Sequence, residues 1–262
     1  MRTMFVFSFS TIRTSPHCLA LLAMLMAASG CSTPVVQPGS ASEPHAAAAS
    51  VRLPASAQLK YKLTGSAKGT SYHADAEMSW INAGNRYDAV MKITMVFIGT
   101  RTVASTGTID DKGLMPARYT DKSRTELVAF FDSQAGAIRF SANTPTLPWV
   151  PGVQDRVSVF LQLGGMLASH PAGFPVGSVH PIYVAGPRDA GTWAFRVEGQ
   201  ENLTLPFGEL TTIKLTRPPL REQDQKMEIW FAPSLGYLPV RNRITQSNGD
   251  FVDQQLSGLG KG

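Results

Sequence analysis

The sequence predicts an all-β domain, an antiparallel sheet that curls into a barrel or half-barrel wrapped around one central buried α-helix. Three observations carry this. Two long stretches alternate apolar and polar residues with period two. Turn residues punctuate the chain at short, regular intervals. A single segment near the middle switches to helical spacing and is apolar around most of its circumference.

The chain starts with a leader. Its first charges are Arg2 and Arg13, and no acidic residue precedes Glu43. The apolar run from Leu19 to Ala28 is about ten residues long, inside the ~7–15 of a secretory signal and short of the roughly 20 that span a bilayer. It ends in Ala28-Ser29-Gly30-Cys31. Small residues followed by cysteine resemble the lipobox of a bacterial lipoprotein signal, although Ala28 stands where that motif usually has leucine. The resemblance implies cleavage of residues 1–30, a diacylglyceryl thioether on Cys31 and a membrane tether outside the cytoplasm. The alternative is an ordinary cleaved signal and a soluble periplasmic protein. In the lipoprotein family an aspartate after the cysteine favours retention at the inner membrane. Ser32 therefore implies the outer membrane, with the domain facing the periplasm.

Residues 31–56 are rich in Ala, Ser and Pro and read as a disordered tether after the lipidated cysteine. About 200 residues remain, 57–259, enough for one well-buried domain. The chain has 2 cysteines. Cys18 leaves with the leader and Cys31 takes the lipid, so the domain is expected to hold no disulfide, thiolate metal site or cysteine nucleophile. The net charge of +5 includes Arg2 and Arg13. The other charges are dispersed, which gives no support to nucleic-acid binding.

The first strands have the clearest pattern. Tyr72, Ala74, Ala76, Met78 and Trp80 oppose His73, Asp75, Glu77 and Ser79. Tyr87, Ala89, Met91, Ile93, Met95 and Phe97 then oppose Arg86, Asp88, Lys92 and Thr94, with Ala83-Gly84-Asn85 as the hairpin between them. Further strands are expected at 58–65, 101–110, 114–121, 125–131 and 136–141. A second set is expected at 179–185, 192–199, 202–205, 209–216, 225–232, 237–246 and 250–257. Three prolines stiffen 143–152, yet Leu147, Trp149 and Val150 there are apolar and should pack on something.

The segment from Asp155 to His170 fits a helix. Asp155, Ser158, Gln162 and Ser169 form a narrow polar stripe, and Val157, Val159, Phe160, Leu161, Leu163, Met166 and Leu167 cover most of the rest. Such a helix should be buried in the concavity of the sheet. Gly164-Gly165 weakens its centre by ~1 kcal/mol per residue against alanine, which fits either a close approach to the sheet or a kink. Asp155 suits the helix N-terminus, and Arg156 is placed to meet a carboxylate on the sheet.

No catalytic constellation stands out. His73, Asp75 and Glu77 share a strand face at steps of about 6.5–7 Å, too far apart for one metal ion, and read as a solvated outer face. His170 and His180 each precede a proline and read as structural. The sequence contains no Gly-x-Ser-x-Gly elbow, phosphate loop or His-Glu-x-x-His. The expectation is a non-enzymatic protein without a cofactor or metal.

The second half carries a family signature. Leu205-Pro206-Phe207-Gly208-Glu209-Leu210, the segment to Arg217, and Trp230-Phe231-Ala232-Pro233-Ser234-Leu235-Gly236-Tyr237-Leu238-Pro239-Val240-Arg241 are its core, with Gly152 to Leu163 before them. Together they resemble the proteobacterial exported-protein family called domain of unknown function 3108, over about 57–259. The resemblance implies a β-rich curved sheet or barrel and brings no activity. At fold level such a shape is similar to periplasmic lipoprotein carriers and their outer-membrane receptors, which enclose acyl chains. Much of the signature is turn chemistry, and Pro239 within a strand suggests an edge or a bulge.

Methionine gives the last clue. Met78, Met91 and Met95 fall on the inner face and Met166 on the helix, suited either to an irregular core or to variable apolar ligands. The candidate ligand residues are Met91, Met95, Trp149, Phe160, Leu163 and Met166. The leading expectation is a lipid-anchored envelope protein that binds an apolar or acyl ligand between sheet and helix. The alternative is a structural or assembly accessory, with a solid core, that binds another envelope protein.

Overall fold

A computed structural model describes residues 50–95 and 99–262. The leader, Cys31, the tether up to residue 49 and the inner-face candidate Phe97 lie outside the described residues. In chain order the strands are β1 (Ala57–Ala67), β2 (Thr70–Asn82), β3 (Arg86–Met95), β4 (Gly99–Asp110), β5 (Gly113–Lys122), β6 (Glu126–Asp132), β7 (Ala137–Phe140), β8 (Leu147–Pro148) and β9 (Gln154–Asp155). After the helix α1 (Ser158–Ser169) come β10 (Val179–Ala185), β11 (Ala190–Leu205), β12 (Gly208–Arg217), β13 (Lys226–Ala232), β14 (Leu238–Thr245) and β15 (Phe251–Lys261).

Among the described residues, all 15 strands join one sheet, in the order β8 to β1, then β15 down to β9. Every neighbouring pair is antiparallel except β9 with β10. Each half is a meander built from local hairpins. The β1–β15 ladder, Ala57↔Lys261 to Ser66↔Phe251, ties the two halves together. The sheet does not close by a ladder between its ends. Its end strands β8 and β9 are instead joined through the chain itself, by residues 149–153. The fold is a curled open sheet around one helix, with a covalent seam.

Period-two alternation sets the faces. Ala57, Leu59, Tyr61 and Leu63 of β1 are buried while Gln58, Lys60, Lys62 and Thr64 are exposed. Ala74, Ala76, Met78 and Trp80 of β2 are buried in the same way. His73, Asp75 and Glu77 lie on the exposed side, with Asp75 paired to Lys62 at 2.7 Å. The β1–β2 turn has two residues, Lys68 and Gly69, both with positive φ (51° and 76°), the geometry that matches strand twist.

Expected strands 192–199 and 202–205 are one strand, β11. The strand carries a bulge between Val197 and Gly199, where φ at Gly199 is 114°. Pro239 also sits at a bulge, since the β13–β14 register shifts between Trp230 and Phe231. Tyr61 Oη donates to the Pro239 carbonyl at 2.8 Å.

Helix α1 starts three residues later than expected, because Asp155 belongs to β9 and its carboxylate accepts the Val157 and Ser158 N–H groups at 2.8 Å each. Val159, Leu163 and Leu167 pack with Ile182, Phe195, Leu215, Ile229 and Phe231 of β10–β13 in one core. Val157 and Leu161 join the other core, with Trp80, Tyr119 and Ile138. The polar stripe does not face water. Gln162 accepts from Leu114 N and donates to the Lys112 carbonyl, both at 2.8 Å, so it completes the backbone of the β4–β5 turn. The glycine pair marks close approaches. Gly164 leaves no room for a side chain against the Tyr237 carbonyl, and Gly165 faces Val51 and Leu53.

Residues 50–56, assigned from composition to the tether, form an ordered strap and move the start of the folded part upstream. Val51 N donates to Asp111 O at 2.9 Å, and the Arg52 guanidinium donates to the Ala168 carbonyl near the end of α1. The Pro54 carbonyl accepts from Trp80 Nε1 at 3.1 Å and from Asn82 Nδ2 at 3.2 Å. Composition hid this because one backbone N–H, one guanidinium, one carbonyl and one leucine do the anchoring.

Candidate functional site

The inner sheet face is covered unevenly. Toward the start of β3, Tyr87 and Ala89 are 4% and 0% exposed. Further along the same face, Met91, Ile93 and Met95 are only half-buried, while Lys92 and Thr94 between them point outward and are exposed. Val103 of β4, paired with Met91, is half-buried too. Their neighbours on β2 are small: Ala76 pairs with Ile93, and Ala74 follows two residues before it. Gly99 pairs with Met95 on the other side. Flexible methionines beside alanine and glycine make an apolar strip that the described residues do not cover completely.

The strip has a polar border on β4 and β5. Arg101, opposite Ile93, donates to Asp121 through Nε (2.8 Å) and Nη2 (2.5 Å). This bidentate pair is mostly buried, and the carboxylate raises the guanidinium's pKa against the opposing effect of burial. At the closed end, Tyr87 Oη meets Ser105 Oγ at 2.8 Å, and Ser105 Oγ donates to the Asp155 carboxylate. Asp155 is wholly buried, and burial pushes its pKa up to about 6 against the hydrogen bonds that favour the charged form. Arg156 turns instead to Asp189, donating to both carboxylate oxygens at 2.7 and 2.9 Å.

The structure divides the six candidate ligand residues. Met91, Met95 and Trp149 pack against the core that contains Trp80 and Tyr119. Phe160, Leu163 and Met166 belong with the helix and β10–β13. Leu163 is 0% exposed in a solid interface. Trp149 lies in the seam, its backbone N–H donating to the Gly136 carbonyl at 2.9 Å. Sequence reasoning placed Ile93 on the inner face without singling it out, and it missed Val103, Arg101 and Asp121. Arg101, Val103 and Ser105 share a face but mix cation, apolar and hydroxyl chemistry, so alternation there gave no signal.

His180 is held structurally, while His73 and His170 are exposed. His180 stacks on Phe174 with ring centroids 3.8 Å apart, and its Nε2 meets Ser178 Oγ at 2.8 Å. Trp230 of the signature is buried, its Nε1 donating to the Glu201 carboxylate at 3.0 Å. Lys214 and Arg241 lie 4.7 and 4.6 Å from its ring centroid, so the motif residue is a packing centre on β12–β14.

Comparison with known proteins places this geometry. The family model described as "Protein of unknown function (DUF3108)" matches residues 60–256. No curated protein matches the chain in sequence. Among solved structures it is similar to a beta-barrel-like protein of domain of unknown function DUF1849 from Brucella abortus, at 12% identity and TM-score 0.52, covering 81% of this chain and 99% of that one. It is also similar to a DUF1329 family protein from Desulfovibrio piger, at 9% identity and TM-score 0.29, covering 80% and 87%. The first likeness shows the fold; the second is too distant to carry an argument.

Proposed function

The chain belongs to the DUF3108 family of proteins of unknown function, and from that premise we propose that it is a lipid-anchored protein of the cell envelope that holds an apolar chain on the half-open strip of its inner sheet face. The leader and Cys31 support the address, with the outer membrane as the destination that Ser32 implies. The single observation behind the binding role is the run Met91, Ile93 and Met95, which alternates correctly for a buried face yet stays half-exposed beside Ala76, Gly99 and Val103. Apolar side chains on a concave face that the protein itself leaves partly uncovered suit an apolar ligand.

The sequence reading put the ligand between sheet and helix. Leu163 and its partners Leu215, Ile229 and Phe231 are each 0% exposed, so the strip is the better place for it. The protein works in this reading without catalysis and without a cofactor. That same dry packing favours the second reading, an assembly accessory that binds another envelope protein and no ligand.

Native mass spectrometry of the mature domain, purified from a bacterial periplasm, separates the two. The binding reading expects an added mass in the lipid range that Met95→Arg removes from a folded protein. A clean apo mass in the wild type would favour the accessory.

A further inference from the structure

Among the described residues, the buried charged side chains other than Arg217 have polar partners. Asp121 holds Arg101, Asp253 holds Arg241, and Asp155 accepts from Ser105 and two backbone N–H groups. Arg217, at the end of β12, is 6% exposed, yet its guanidinium makes no hydrogen bond and no ion pair. Nη1 is fully enclosed, and the group's one close partner is the ring of Trp193, 4.9 Å from Cζ to the centroid.

Carboxylates are near but engaged or too far. Asp224 acts on Arg217 only through its field and accepts from Arg221 N at 3.1 Å within the β12–β13 connection. Asp189 is taken by Arg156, which also lies close enough for its charge to be felt at Arg217. Asp224 and Arg156 therefore act on Arg217 only at a distance, and with opposite sign. Burying a cation without a counter-charge is unfavourable. The Trp193 ring offsets part of that cost and covers one face of the guanidinium.

We propose that Arg217, backed by Trp193 and neighboured by Arg156, binds an oxyanion at its Nε–Nη2 edge, which supplies the counter-charge that no described residue gives it. The Nε–Nη2 edge, unlike Nη1, is not enclosed, and its planar fork matches the paired oxygens of a phosphate or carboxylate where lysine would not. The site lies on β12 and is independent of the apolar strip on β3 and β4.

The test uses the intact domain and follows the Arg217 Nε–H signal by NMR while inorganic phosphate, acetate or dodecyl phosphate is added at ionic strength matched with chloride. The expected result is a saturable shift of that signal with phosphate and a rise in Tm that Arg217→Met abolishes. Equal affinity for phosphate and dodecyl phosphate identifies a free anion. An affinity at least about tenfold higher for dodecyl phosphate, read at Arg217 itself, identifies a lipid headgroup. An Arg217 signal unmoved by all three probes overturns the proposal, and so does an equal Tm rise in Arg217→Met. The wild-type titration decides the matter even if that variant does not fold.

Discussion

Gly164 of helix α1 sits directly against the carbonyl oxygen of Tyr237, a residue held at positive φ (61°) between β13 and β14. A β-carbon at Gly164 would strike backbone, which has nowhere to go. At Gly165 it would meet Val51 Cγ1 at 2.8 Å and Leu53 Cδ2 at 2.9 Å, the tips of side chains that can turn aside. Both Gly→Ala changes gain ~1 kcal/mol of helix propensity. Gly164→Ala should still be destabilising by about 1–3 kcal/mol, and Gly165→Ala close to neutral, in urea unfolding. Equal effects would mean that α1 does not press on the 233–237 turn.

Asp155 gives the domain a pH signature. Its folded pKa is raised from 3.8 to about 6 by burial, so the folded protein holds this proton more tightly than the unfolded chain. Its contribution favours folding fully below about pH 4 and is lost as pH rises to 6 and beyond, up to ~3 kcal/mol. Asp155→Asn keeps an oxygen for Val157 and Ser158 N–H and an amide for Ser105. It should flatten the stability–pH curve between pH 4 and 6. An unchanged slope in the variant would assign that dependence elsewhere.

The strap is the third test. Beginning the chain at residue 57 would leave Trp80 Nε1 without the Pro54 carbonyl and uncover the face that Leu53 packs on. A loss of about 2–4 kcal/mol is expected from one unmet buried donor and one uncovered apolar contact. Trp80→Phe in the full chain should cost less, since Phe needs no acceptor. Denaturant midpoints for the three proteins check the order.

How much of this could be seen beforehand depended on how many residues carried each signal. Strands β1 and β2 were legible because one face is buried along most of their length, and β3 because its apolar residues keep the same period even where they are half-buried. The helix was legible by its apolar coverage, but its polar stripe was misleading, since Ser158 and Gln162 serve backbone groups indoors rather than water. Strands β8 and β9 have two residues each, too few for any period. The β1–β15 ladder joins positions about 200 residues apart, which no local pattern encodes. At the strip, Met91 and Met95 were visible as inner-face residues, but their half-exposure is a tertiary fact that no local pattern encodes.

The most direct test of the proposed function watches the methionine methyl groups while a fatty acid is titrated into the domain. Met91 and Met95 line the strip, whereas Met78 and Met227 are 2% and 1% exposed in packed cores. Ligand binding on the strip predicts saturable shifts at the Met91 and Met95 methyls with the Met227 methyl unmoved. Shifts led by Met227, or none at Met91 and Met95 at saturating fatty acid, would contradict it.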